Sequence, residues 1–363
     1  GPKMTQEHGV SHEGPVEDRV LSALGDRARP PPEGFNRFTL QVAPALALPD
    51  PLIRAMQPAT HQDIRLKNLV DAFAPLGDLQ TKFTKLVASL RRSEEALSLS
   101  AAIRMFGADR ALDFLAVAYL HPGGDGKGQN GDATKALGYA NRARDHHSTY
   151  GRYVETAYIG GLVFDILRML IAAGPPGMTR KRQLDFLEET FEHGLATSDI
   201  ALRLSKSAGD VPFTDYAFPA CLVHDIGAAA MAVVHPEAIE DLKKLHSGDL
   251  PPGALALAER EIFGMTHAVY GGLVCRYFAP LRPVADVVLY HHDPYLFPHE
   301  STASLKPFTE MVTLANHVAR HLVAPEDDAD PVVQEWWKRP ELEDAHVSDE
   351  ALVATVEALL RKG

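Results

Sequence analysis

Apolar residues recur every three or four positions along most of the chain, which is the period of an amphipathic helix. Two stripes near the amino terminus illustrate the pattern: Leu66, Leu69, Val70 and Phe73, followed by Phe83, Leu86, Val87 and Leu90. Strand signals are scarce in the same region. The pattern therefore predicts an all-α fold.

Further helices follow from the same period and from capping residues. A third helix is predicted from about Ser98 to Phe106 and ended by Gly107, and Asp109 is the candidate cap of a fourth. The later chain predicts five helices, at about 179–208, 216–234, 254–279, 283–292 and 307–323, and a final one from about 348 to 360.

The longest apolar stretch, residues 156–173, contains Asp165 and Arg168. Its large apolar residues form a helical stripe and not a uniformly apolar span, so it predicts a core helix and not a membrane span.

Changes in composition divide the chain into five regions. We predict a disordered amino-terminal tail (1–35), a helical lobe (36–120), a glycine-rich loop with an inserted helix (121–178), a helical domain (179–325) and a tail with a final helix (326–363). The glycine run at 123–128 lacks both P-loop spacing and a preceding strand, which argues against a phosphate-binding loop.

Composition and charge narrow the classes of function. Hydrophobic residues make up 45% and charged residues 23%, as in an ordinary soluble globular protein. The net charge of −12 argues against DNA or an anionic membrane as the main partner, because both require a basic face. Two cysteines, Cys221 and Cys275, exclude a disulfide framework and favour a cytoplasmic protein. The 17 histidines are a reason to look for a metal site.

The segment 217–234 is apolar on all sides except at His224 and Asp225. A helix that is apolar all round is a buried helix. Burying an imidazole and a carboxylate is costly unless both are satisfied. Three solutions remain open: a mutual hydrogen-bond network, a basic side chain from another segment, or a metal ion.

Other histidines lie on or beside apolar helices in an ordered succession. Glu189 and His193 are four residues apart and so share one helix face. His267 lies in a second apolar helix, and the adjacent His291 and His292 end a third. Each has an ordinary structural explanation when taken alone: a solvated carboxylate, a core histidine or a helix cap. Together they predict a mononuclear or dinuclear site for Fe, Mn or Zn, which suit mixed nitrogen and oxygen ligands.

The chain resembles the HD superfamily of metal-dependent phosphohydrolases in the order of its candidate ligands, which is His193, His224-Asp225-Ile226-Gly227, His267 and His291-His292. The closer similarity is to its HDOD (HD-related output domain) family. It is carried by three stretches, 191–196, 217–227 and 261–273, the last continuing to the histidine pair, with a weaker match at 97–107. The resemblance implies an amino-terminal HDOD lobe (36–120) packed on an HD-type helical domain (179–325).

The sequence departs from the catalytic members of the superfamily at several positions. Asn316 stands where HD enzymes usually place an aspartate on a late helix. Ala228 stands where the phosphodiesterase branch often has a lysine, and the Gly-Tyr-Pro signature of the HD-GYP branch is missing after His292. Glu189 matches an extra carboxylate ligand of trinuclear members of that branch.

The resemblance implies a signalling protein that acts through protein contact or a metal-dependent conformational switch. The implied metal ligands are Glu189, His193, His224, Asp225, His267, His291, His292 and Asn316. The alternative is a metal-dependent phosphohydrolase or phosphodiesterase with Asp225 as the candidate catalytic, ion-bridging residue and a cyclic dinucleotide as a candidate substrate. A third class, an HD-type di-iron oxygenase, rests on the ligands alone. The implied partners are a protein of a signalling pathway and a nucleotide second messenger, with no DNA and no membrane span.

Overall fold

The structure is a computed structural model. It describes residues 33–321 except 58, 60, 93–95, 121–135, 149–153, 209–215, 248–249, 251, 293 and 295–305. Most of the predicted amino-terminal tail, the glycine run at 123–128 and the tail 326–363 with its final helix lie outside the described residues. The described part of the chain contains helices and no strand, so the prediction of an all-α fold is confirmed.

Seven helices form the amino-terminal part of the described chain. They are α1 (Glu33–Gln41), α2 (Ala43–Leu46), α3 (Asp50–Met56), α4 (Gln62–Phe73), α5 (Asp78–Leu90), α6 (Leu99–Phe106) and α7 (Ala108–Leu120). The Ser98 hydroxyl accepts a hydrogen bond from the Ala101 N–H and so caps α6, which Gly107 ends at φ 97°. Asp109 does not cap α7. It lies inside the first turn and accepts a hydrogen bond from Arg65.

Ten helices follow. They are α8 (Gly138–Ser148), α9 (Val154–Ala173), α10 (Met178–Ala208), α11 (Ala217–Val223), α12 (Ile226–Val234), α13 (Ile239–Ser247), α14 (Pro252–Phe263), α15 (His267–Tyr277), α16 (Ala285–Tyr290) and α17 (Lys306–His321). α9 and α10 agree closely with prediction, whereas α8 was not predicted. Helix α1 begins at Glu33, so the last three residues of the predicted tail are helical.

Two predicted helices are interrupted next to candidate ligands, and a third begins differently from the prediction. The predicted helix 216–234 breaks at His224 and Asp225. The predicted helix 254–279 breaks at Gly264, whose φ of 79° favours glycine, and α15 restarts with a cap from Thr266. The predicted helix 283–292 begins as a 3₁₀ turn that ends at Val284. Side chains of adjacent helical residues diverge by about 100°, so each break redirects polar side chains that a continuous helix would separate.

Very close helix packing holds the segments that carry these side chains. Helix α12 packs on α15, and α10 packs on α11 and α17. A Cβ atom at Gly227 would lie 1.7 Å from the His267 carbonyl oxygen, and one at Gly194 would lie 2.2 Å from the Leu222 carbonyl oxygen. One apolar cluster joins these helices to the amino-terminal lobe. The division into separate domains therefore stays a prediction.

Two described segments, Thr156–Ala173 and Ala217–Val234, are long and apolar enough to cross a membrane. The protein itself buries 72% of the first segment and 94% of the second. This burial agrees with the prediction that residues 156–173 form a core helix.

Candidate metal centre

The carboxylate of Asp225 lies at the centre of four imidazoles. The Nε2 atoms of His267 and His291 lie 3.4 and 3.3 Å from Asp225 Oδ1. The Nε2 atoms of His224 and His193 lie 3.3 and 3.6 Å from Asp225 Oδ2. The structure therefore brings together side chains from α10, α15 and the turns that follow α11 and α16.

Hydrogen bonds to the backbone fix which nitrogen of His224 and His291 carries the proton. Nδ1 of His224 lies 2.6 Å from the Cys221 carbonyl oxygen, and Nδ1 of His291 lies 2.6 Å from the Val288 carbonyl oxygen. A carbonyl only accepts, so each Nδ1 donates. Both Nε2 atoms are buried and have no hydrogen-bond partner. In a neutral ring each presents a lone pair toward the carboxylate.

A buried glutamate orients the third imidazole. Glu259 accepts hydrogen bonds from His267 Nδ1 at 2.7 Å and from the His267 backbone N–H at 2.9 Å. His246 Nε2 lies 2.8 Å from the same carboxylate. Metal-bound histidines commonly have such a carboxylate on the nitrogen that faces away from the ion. The other nitrogen of His267, Nε2, lies 2.9 Å from His292 Nε2.

These contacts gather four potential ligand atoms on the Oδ1 side of Asp225. Oδ1 is buried without a hydrogen-bond partner. Asp225, His267, His291 and His292 each offer one ligand atom, and those atoms lie within 4.8 Å of one another. Ligands bound at about 2.0–2.1 Å in a tetrahedral site lie about 3.3 Å apart. The spacing of these atoms therefore suits a transition-metal ion.

Burial and charge set the protonation of the cluster. Burial lowers the pKa of His291 to about 4 and that of His292 well below its usual range, so both are neutral at pH 7. Burial also acts to lower the pKa of His267, but the charges of Glu259 and Asp225 outweigh it and raise that pKa to about 10. In the absence of an ion, His267 therefore holds a proton that a metal would displace.

The Oδ2 side of Asp225 is occupied by a different group. Arg320 donates from Nη2 to Asp225 Oδ2 at 3.0 Å and from Nε to Asn316 Oδ1 at 3.1 Å. Burial would raise the pKa of Asp225, but interactions with His224 and with the Arg320 guanidinium hold it well below the usual range. His193 Nε2 lies 2.8 Å from Asn316 Oδ1. Since an amide oxygen only accepts, His193 donates there.

Glu189 is the one predicted ligand that the structure does not place with the others. Its side chain is 62% exposed, and its carboxylate lies 3.5 Å from Lys243 Nζ. Helical spacing places Glu189 on the same face of α10 as His193. One turn before His193, however, that face is exposed to solvent, so Glu189 does not reach the cluster. The six other predicted ligands lie around Asp225.

Sequence reasoning missed three residues of the site. Glu259 contacts His267 across the helix break at Gly264, which the continuous helical period concealed, and His246 contacts Glu259 from α13. Arg320 had a usable signal, because it follows Asn316 by four residues on a predicted helix and therefore shares its face.

Residues 163–294 match the family model of the HDOD domain. No curated protein gives a match. Among solved structures, an HDOD domain protein with unknown function from Geobacter sulfurreducens is 15% identical, with 95% of this chain and 98% of that chain covered and a TM-score of 0.42. The MmoQ response regulator from Methylococcus capsulatus is 17% identical, with 94% and 95% covered and a TM-score of 0.36. The matched range contains every candidate ligand from Glu189 to His292, and the chain carries an HDOD domain at residues 163–294.

Proposed function

We propose that this protein is an HDOD regulatory protein whose domain binds a transition-metal ion and which signals through contact with a protein partner. One observation carries the proposal: His291 Nε2 and Asp225 Oδ1, both buried and without a hydrogen-bond partner, lie 3.3 Å apart. Acceptors facing one another are unfavourable without a cation between them. A metal ion supplies that cation.

The ligand chemistry narrows the choice of ion to iron, manganese or zinc. The Oδ1 side offers three imidazoles and one carboxylate, and the described residues contribute no thiolate to it. Such mixed nitrogen and oxygen ligands suit these metals better than calcium or magnesium. When bound, the ion would act as a Lewis acid and as a link between the helices that carry its ligands.

The positions of the ligands support a regulatory role. Asp225 precedes α12, His267 begins α15, and His291 and His292 follow α16. An ion held by all four would tie three helical segments together, so its binding favours one arrangement of them. A partner protein that recognises this arrangement would then respond to metal occupancy. The net charge of −12 makes DNA a poor partner.

Metal content is the first test. The protein is purified without chelators, and iron, manganese and zinc are measured by elemental analysis. We expect a near-stoichiometric ion in the wild type, its loss in Asp225→Asn and His291→Ala, and its retention in His146→Gln. His146 is a suitable control because it pairs with Asp199, outside the cluster. A folded, metal-free wild type that none of the three ions stabilises against heat would refute metal binding.

Activity assays separate regulation from the two enzymatic alternatives. We expect the metal-loaded protein not to hydrolyse an aryl phosphodiester or a cyclic dinucleotide faster than a buffer control. Hydrolysis that is abolished in Asp225→Asn and kept in His146→Gln would replace the regulatory proposal with a phosphodiesterase. A visible iron absorption band that changes on exposure to oxygen would instead support the di-iron oxygenase.

A further inference from the structure

We propose that the guanidinium of Arg320 takes the place of a second metal ion, so that the centre holds one ion and not two. This inference rests on the proposed function, because it concerns the number of ions that the same centre accepts. It carries a functional consequence. A hydroxide bridging two ions, which the hydrolytic alternative uses, would not form.

The two oxygens of Asp225 have different surroundings. Oδ1 is buried and has no hydrogen-bond partner, whereas Oδ2 accepts a hydrogen bond from Arg320 Nη2 at 3.0 Å. One cation is therefore already present on the Oδ2 side. An arginine side chain keeps its charge at every physiological pH.

Two of the three ligand atoms that a second ion would need, those of His193 and Asp225, already make hydrogen bonds, and only His224 Nε2 has no such partner. His193, His224 and Asp225 form the group that surrounds Oδ2. His193 donates its Nε2 proton to Asn316 Oδ1 at 2.8 Å, so its lone pair is not available there. Asn316 Oδ1 also accepts from Arg320 Nε at 3.1 Å. Asn316 thus holds His193 in a hydrogen bond that makes its Nε2 unavailable to a metal ion. Arg320 neutralises the charge on Asp225 Oδ2.

Charge balance leads to the same conclusion. Among the described side chains that face the centre, Asp225 and Glu259 carry the negative charges, and Glu259 lies on the far side of the His267 ring. A first divalent ion and Arg320 together outweigh these two carboxylates. A second divalent ion would meet repulsion from both cations, and Asn316 supplies no charge to offset it.

The test compares the number of bound ions per chain in four proteins. These are the wild type, Arg320→Lys, the double variant Arg320→Met with Asn316→Asp, and the control Arg182→Met, which loses an exposed pair with Glu240. Each is loaded with Mn²⁺, dialysed and measured by elemental analysis, and circular dichroism confirms that each is folded. We expect one ion in the wild type, the Lys variant and the control, and two in the double variant. Magnetic coupling between the ions, seen by electron paramagnetic resonance, would show that they are adjacent.

The outcomes separate this inference from the proposed function. Two ions in the wild type, or the same number in all four proteins, zero included, would overturn the inference. If the double variant does not fold, the variant Arg320→Gln with Asn316→Asp takes its place, and the same numbers of bound ions per chain are expected. A metal-free wild type with a metal-binding double variant would refute the proposed function and keep Arg320 as the group that blocks the ion.

Discussion

The amino-terminal lobe and the metal-centre helices bury very different side chains. Among the described residues of α1 to α7, every large buried side chain is apolar, and the rings of Phe73, Phe83 and Phe114 lie 4.8 to 6.0 Å apart. The helices from α10 to α17 also bury polar groups. The charged or imidazole-bearing ones around the centre are His224, Asp225, Glu259, His267 and His291.

The comparison shows that the lobe mainly stabilises the fold, whereas the helices of the centre mainly hold charged groups in position. Apolar burial contributes about 25 cal/mol per Å², so the lobe adds stability at little electrostatic cost. Burial of charged groups costs several kcal/mol unless partners compensate. The centre therefore depends on its ion pairs, on its close packing and on the stability contributed by the rest of the core.

The largest expected effect comes from Gly227→Ala, which separates the helices around the centre. The added Cβ would lie 1.7 Å from the His267 carbonyl oxygen, a backbone atom that cannot move away cheaply. We expect a loss of more than about 4 kcal/mol in the free energy of unfolding by urea, together with loss of bound metal. Gly138→Ala is the matched control, because a Cβ there meets nothing within 4 Å. Equal stability of the two variants would contradict the packing described.

Truncation of a buried phenylalanine tests the amino-terminal lobe. Phe83 is fully buried, and Phe83→Ala removes its contacts with Phe73 and Phe114. We expect urea unfolding to show a loss of about 3–5 kcal/mol, with the number of bound ions per folded chain unchanged. Leu40→Ala is the control, since Leu40 is 78% exposed. A parallel loss of metal would mean that the lobe and the centre are coupled.

Glu259→Gln tests whether the buried charge of Glu259 supports metal binding through His267. The substitution keeps the shape of the side chain but removes the charge that orients His267 and raises its pKa. We expect metal affinity to fall by about 10–100-fold in calorimetric titrations. The matched control is Glu261→Gln, which is exposed on the same helix. Unchanged affinity in Glu259→Gln would leave Glu259 with a structural role only.

The smallest effect is expected from a partly exposed pair outside both regions. A hydrogen bond from His146 to Asp199 raises the pKa of His146 above 6.5. Its stabilisation is present below pH 6.5 and is lost as the pH rises through the raised pKa. We expect His146→Gln to lower stability by less than about 1 kcal/mol at pH 5.5, with the difference fading as the pH rises through the raised pKa. A difference that grows with pH would have the wrong sign.

The sequence allowed prediction of the helices and of most ligands, for separate physical reasons. The apolar period predicted α9 and α10 almost to the residue. The residue types, their order and the family resemblance together indicated Asp225 and six of the residues around it. Helix α8 was missed because its sequence is mainly polar and small, so no apolar stripe marks it. The breaks at Asp225 and Gly264 were missed because the apolar period continues across them. Glu189 showed that helical spacing fixes a face but not the direction in which that face points.

The contacts of Arg320 bear on the order in which the centre assembles during synthesis and folding. The four residues of the Oδ1 side have all been synthesised by His292, whereas Asn316 and Arg320 arrive with α17. The hydrogen bond between His193 and Asn316 joins residues 123 positions apart, and that between Asp225 and Arg320 joins residues 95 positions apart. Contacts of such high sequence separation form late in folding. If the centre binds one ion as proposed, a nascent chain that lacks α17 would leave both oxygens of Asp225 open to ions, and docking of the last described helix would be the step that limits their number.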